Sequence, residues 1–100
     1  MTPLTEFLSA YEALLQNHYD EMGYHPHNGI NIGLTKGKKY HRLTRDGSAV
    51  AFIDDAGDIY MAASYHRPAK HVRGNIHSEH NGMEAFGATG HVRYLRWLSK

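Results

Sequence analysis

The chain contains no cysteine. Disulfides, thiolate zinc sites and a cysteine nucleophile are therefore excluded, and a metal would have to be held by His and carboxylates drawn from separate segments. No apolar run approaches the roughly 20 residues that cross a bilayer, and the opening MTPLTEF has neither a basic stretch nor an apolar core of the kind that targets secretion. A cytoplasmic location, or incorporation into a particle, is the expectation, with no membrane partner. Residues 1–35 carry Glu6, Glu12, Asp20 and Glu21 but no Lys or Arg, whereas residues 36–45 carry Lys36, Lys38, Lys39, Arg42 and Arg45 but no acid. The net charge of +1 thus conceals alternating blocks of opposite sign. Nine His residues add further positive charge in mild acid, so affinity for an anionic partner is expected to vary with pH.

What is present suffices for one domain. The 100 residues are too few for a two-domain enzyme, while an apolar fraction of 41%, including seven Tyr, three Phe and one Trp, can fill one modest core. Leu4, Phe7, Leu8, Tyr11, Leu14, Leu15, His18, Tyr19 and Met22 recur at spacings of three and four, which predicts an amphipathic helix over 3–22. Thr2 suits its N-cap, Pro3 its first position and Gly23 its left-handed stop. The Gly-rich stretch 23–38 reads as a loop, with at most a short extended piece at Ile30 to Ile32. From Lys39 the texture changes to short β-branched and aromatic segments over 39–64. They are divided by Asp46-Gly47, a tight-hairpin signal, and by Asp55-Ala56-Gly57, which suits a three-residue loop. Val50 and Phe52 alternate with Ala49, Ala51 and Ile53, so both faces of that segment are partly apolar, as in a central strand. Residues 65–90 read as irregular, and His91 to Trp97 as a final strand. The fold class is α+β: one N-terminal helix packed on an antiparallel sheet of three or four strands.

Residues 49–77, AVAFIDDAGDIYMAASYHRPAKHVRGNIH, resemble a group of small proteins encoded by tailed bacteriophages. The likeness rests on Lys39 and Tyr40, Phe52 and Asp54, Gly57, Asp58 and Tyr60, Ala62 to Tyr65, then Pro68, Ala69, Lys70, Arg73, Gly74 and Asn75. GHVRYLR near the end also looks like that group's closing strand. The resemblance implies a phage origin, hence a place in the host cytoplasm or the virion, and a compact fold. It brings no activity and no catalytic residue.

The residues themselves offer several chemistries. Lys36, Lys38, Lys39, Tyr40, His41, Arg42 and Arg45, joined by Tyr65, His66, Arg67, Lys70, His71 and Arg73, combine cations for phosphates with flat rings for unpaired bases, which is what a single-stranded nucleic-acid binder needs. Strand alternation splits those cations between two faces, and Lys and Arg on an edge strand also serve simply to discourage aggregation. The pairs His25/His27 and His77/His80 permit metal binding without the helical spacing that diagnoses it. Asp54, Asp55, Asp58 and Glu79 are acid–base candidates beside His, yet those Asp flank a turn, where Asp is common for conformational reasons. Gly33 to Gly37 echoes a phosphate loop but lacks its Gly-Lys-Ser/Thr ending. Met22, Tyr19, Tyr24, Tyr65 and Trp97 would mark a protein interface if exposed together. The reading is a non-enzymatic phage accessory protein, without cofactor, that binds nucleic acid through Lys36, Lys38, Lys39, Tyr40, Arg42, Arg45, Tyr65, Arg67, Lys70 and Arg73. The alternative is a module that binds a host or virion protein.

Overall fold

A helix starts where a side chain can replace the missing carbonyl partners of its first turn, and Thr2 does this by accepting from the Thr5 N–H at 3.1 Å. In the computed structural model, which describes residues 2–25 and 29–92, α1 runs Pro3–Met22. Gly23 ends it at φ 71°, and Tyr24 N–H returns to the Tyr19 carbonyl at 2.9 Å, closing the last turn. The apolar stripe buries Phe7, Tyr11 and Leu15 completely, with Leu4, Leu8, Leu14 and Tyr19 packed around them. Met22 lies two turns beyond Leu15 and stays 62% exposed.

That sheet has five antiparallel strands in the order of the chain: β1 (Ile32–Lys36), β2 (Tyr40–Arg45), β3 (Ser48–Asp54), β4 (Asp58–Ala62) and β5 (Pro68–Asn75). The central three are the expected meander. Asp46 and Gly47 both take positive φ, 52° and 81°, as a tight hairpin turn with the twist of the flanking strands requires. The count of three or four strands is corrected to five. β1 arises inside the stretch read as a loop, and β5 inside the stretch read as irregular, which also holds a short 3-10 turn, Met83–Ala85. Both are edge strands carrying residues of poor strand propensity, namely Gly33, Pro68 and Gly74. They are strands because each has one neighbour to pair with, β1 through Leu34 opposite Leu43 and β5 through Val72 opposite Tyr60. Of the expected final strand, Val92 bridges Phe86, and residues 93–97 lie outside the described residues.

Because antiparallel partners share a face, the register sorts the side chains. Leu43 with Ala51, and Ile53 with Ile59, point at α1 and are fully buried with Phe7, Tyr11 and Leu15. Ile76, Ala85 and Phe86 close that core from the segment after β5, and the Tyr11 hydroxyl donates to the Gly90 carbonyl at 2.7 Å. The intervening row, Thr35, Arg42, Phe52, Tyr60 and Val72, faces away from the helix. No helix is long and apolar enough to cross a membrane among the described residues.

Candidate nucleic-acid interface

A sheet with one helix leaves its second face to be covered by its own side chains, and here those are aromatic and cationic. Phe52 sits at the centre of the outward row and is only 3% exposed, although it takes no part in the core beneath α1. Its cover comes from neighbouring strands: the Tyr40 ring meets it edge-on at 6.0 Å and also meets Tyr60 at 5.8 Å. The Arg42 guanidinium lies 5.9 Å from the Phe52 ring and 4.3 Å from that of Tyr65. Arg42 Nε is buried with no hydrogen-bond acceptor, so π faces rather than oxygen atoms surround this part of the cation.

Tyr65 reaches Arg42 from the connection between β4 and β5, which is held by Ala63 and Ser64 N–H groups donating to the Arg67 carbonyl at 2.9 and 3.1 Å. His66 stacks edge-on against Tyr65 at 5.0 Å. The two basic stretches of the sequence, around 36–45 and 65–73, therefore meet through the Arg42–Tyr65 contact. Tyr65 and Val72, each 46% exposed, present apolar surface on this side. Lys38 and Lys39 are exposed in the β1–β2 turn, with Lys39 Nζ 5.6 Å from the Tyr40 ring, and Arg67 and Lys70 are exposed at the tip and start of the β4–β5 hairpin. Arg73 lies half-buried where β5 slips register against β4.

Two of the expected contacts do not join this surface. Lys36 pairs with His41 in the row that continues through Ile53 and Ile59, hence on the helix side of the sheet. Arg45 is engaged elsewhere: its Nη1 donates to the Thr89 carbonyl at 2.9 Å, and its Nη2 lies 3.3 Å from His91 Nε2. Alternation along β2 places it with His41 and Leu43 on the helix side; the extra residue of the bulge opposite Leu43 and Thr44 is Val50, on β3.

The acidic end of the same sheet is structural. Asp54 accepts from the N–H groups of Ala56 and Asp58, both at 3.0 Å, and from the Tyr60 hydroxyl at 3.0 Å. That bond to the carboxylate, followed by burial, pushes the Tyr60 phenol up to about 12. Asn75 spans the hairpin, giving its amide to the Ala56 carbonyl at 3.1 Å and Asp58 Oδ1 at 2.9 Å while accepting from His77 N–H at 2.8 Å. Its own N–H goes to Glu84, whose other oxygen takes the Ser78 hydroxyl at 2.7 Å. Burial raises the Glu84 carboxyl, and these donors outweigh it, leaving it below the ordinary carboxylate value. Gly74 is required beside this network: a Cβ there would stand 2.9 Å from Glu84 Oε2 and 3.0 Å from the Ala85 Cβ. No group of three His, Asp or Glu gathers as metal ligands among the described residues.

Residues 4–95 match a family described as "Family of unknown function (DUF7717)". The chain belongs to that family. No curated protein and no solved structure matches it. The matched span takes in the helix from residue 4 and every strand among the described residues, and the outward aromatic row and the Asp54–Asn75–Glu84 network lie within it.

The sequence did not mark Phe52 and Tyr60 as part of the outward surface. A usable signal was present in β3, where Phe52 falls out of phase with Ala51 and Ile53 and so demands cover on the second face.

Proposed function

We propose that the chain is a non-enzymatic, phage-encoded accessory protein that binds single-stranded nucleic acid on the outward face of its sheet, in the host cytoplasm. The observation that carries this reading is the Arg42–Tyr65 contact, which gathers cations from two separate stretches beside exposed ring surface. Tyr65 and Tyr40 offer π faces to unpaired bases, and Lys38, Lys39, Arg67 and Lys70 surround them with mobile positive charge for phosphates. The acids nearest this face have other work: Asp54 is engaged by three donors, which supports its role as a turn brace rather than a repulsive charge. The phage origin is supported by the resemblance of residues 49–77.

Fluorescence anisotropy with a labelled oligo-dT, repeated from low to high salt, tests the proposal. With about four phosphates neutralised, log affinity should fall against log salt with a slope of about −3, since each contact on a single strand contributes about −0.7. Affinity that does not change with salt, or no affinity at low salt, removes the proposal.

A second reading, a module that binds a host or virion protein, is favoured by one feature. Met22 and Tyr24 stand 62% and 51% exposed at the C-terminal end of the helix, with Tyr24 edge-on to Tyr19 at 5.2 Å. A protein partner that survives nuclease treatment in a pull-down, and is lost with Met22→Ser and Tyr24→Ser, would select it.

A further inference from the structure

Arg45, a cation that the outward face does not use, lines a cleft of about 750 Å³. The cleft lies between the β2–β3 turn, the start of β3, the end of β4 and the segment 87–92, and its apolar wall is made by Val50, Met61, Ala62 and Val92. The volume is within the range of small-molecule sites, about 300–1,000 Å³.

The state of Arg45 gives the cleft a chemical preference. A guanidinium only donates, so across the 3.3 Å contact its Nη2 is the donor and His91 Nε2 the acceptor. Its other partners, the Thr89 carbonyl and the Tyr11 hydroxyl, whose pKa burial pushes up to about 12, carry no charge. Among the described residues no carboxylate lies within ion-pair distance of Arg45, and Gly90, where a Cβ would stand 3.0 Å from Nη1, lets the chain pass close against it. The cleft therefore holds a half-buried cation without a counterion, beside apolar walls. Asp46 stands at its exposed edge and would repel a second negative charge.

We propose that this cleft binds a small organic monocarboxylate with an apolar body, the carboxylate pairing with Arg45 and the hydrocarbon or aromatic part lying along Val50, Met61, Ala62 and Val92. One unmatched positive charge suits one negative charge, and the adjacent Asp46 disfavours dianions such as phosphate monoesters. The site is separate from the outward face, so it stands whether or not that face binds nucleic acid.

Calorimetric titration of the full chain with octanoate, with 1-octanol and acetate as controls, tests this. Octanoate should bind at one site at least about tenfold more tightly than 1-octanol, as a charge-assisted hydrogen bond implies, and acetate should not bind measurably. Arg45→Gln should abolish the preference for octanoate over 1-octanol. Arg45 also anchors Thr89, so if that variant fails to fold, Val50→Asp provides the second arm, placing a repelling charge in the wall and weakening octanoate by at least about tenfold. No saturable octanoate binding, equal binding of 1-octanol, or unchanged octanoate affinity in the folded variants overturns the proposal.

Discussion

The Arg42 guanidinium rests 4.3 Å from the ring centre of Tyr65, joining a strand near one edge of the sheet to the connection that leads into the other edge. The pair spans β3 and helps roof Phe52, so it has a packing role whatever it binds. A cation held among rings is also pre-organised, since its position is fixed without an acidic partner that would cancel its charge toward an anion.

Replacing either member separates the packing role from the binding role. Tyr65→Ala should cost the fold little, about 1 kcal/mol or less for an exposed cation–π contact. The same change should weaken oligo-dT binding roughly 5- to 150-fold, as the loss of one stacked base implies. Arg42→Lys keeps the charge but loses the flat guanidinium, so it should retain the salt slope while losing affinity. Anisotropy titrations beside urea melts read both quantities; parallel losses in stability and affinity would assign the pair to packing alone.

Gly74 makes a sharper prediction about the fold. Gly74→Ala drives a Cβ to 2.9 Å from Glu84 Oε2 and 3.0 Å from the Ala85 Cβ, and the second of these neighbours is short and fully buried. The expected cost is about 1–3 kcal/mol, typical of overpacking, seen as a lower urea midpoint. Adding Glu84→Ala should not restore stability, because the Ala85 contact remains and the Asn75 N–H loses its acceptor.

Asn75→Ala should destabilise by a similar amount, about 1–3 kcal/mol, for a different reason. It strips the partners from the Ala56 carbonyl, from one oxygen of Asp58 and from the His77 N–H at once. Asn75→Asp should be no milder, since it replaces the amide donor with a carboxylate facing Asp58. Hydrogen exchange at His77 is the local readout: it should speed up in Asn75→Ala before global unfolding does, whereas Asn75→Asp keeps an oxygen to accept that N–H and should leave it protected.

How much of this was legible in the sequence depended on whether the cause was local. Helix 3–22 was legible because Thr2, Pro3, Gly23 and the three-four spacing act within a turn or two of themselves. The central meander was legible because Asp46-Gly47 dictates its own turn. β1 and β5 were not, since Gly33, Pro68 and Gly74 argue against strands and only a partner strand overrides them. The candidate surface followed the same division. Charge blocks are visible by eye, and so is the alternation that parts Arg45 from Arg42, but the Arg42–Tyr65 contact needs the fold to bring two distant stretches together, and the anchoring of Arg45 needs a carbonyl at Thr89, 44 residues away. The motif residues Asp54, Asp58, Gly74 and Asn75 carried the resemblance without an activity, and the structure gives them to the hairpin network.

That network carries a charge, so stability should depend on pH in a definite direction. The folded Glu84 carboxyl titrates below its ordinary value of 4.5, because the donors from Asn75 and Ser78 overcome the effect of burial and hold the ionised form. A folded value below the unfolded one means the unfolded chain binds the proton more readily. The contribution of Glu84 is therefore fully present above about pH 5 and is lost as the pH falls through 4.5 and on through the lower folded value. Urea midpoints measured between pH 7 and pH 3 should decline over that lower range. In Glu84→Gln the isosteric amide keeps a carbonyl for one donor but cannot ionise, so the variant should start less stable at pH 7 and decline less steeply below pH 5. A variant that loses as much stability on acidification as the native chain would place the acid sensitivity in another carboxylate.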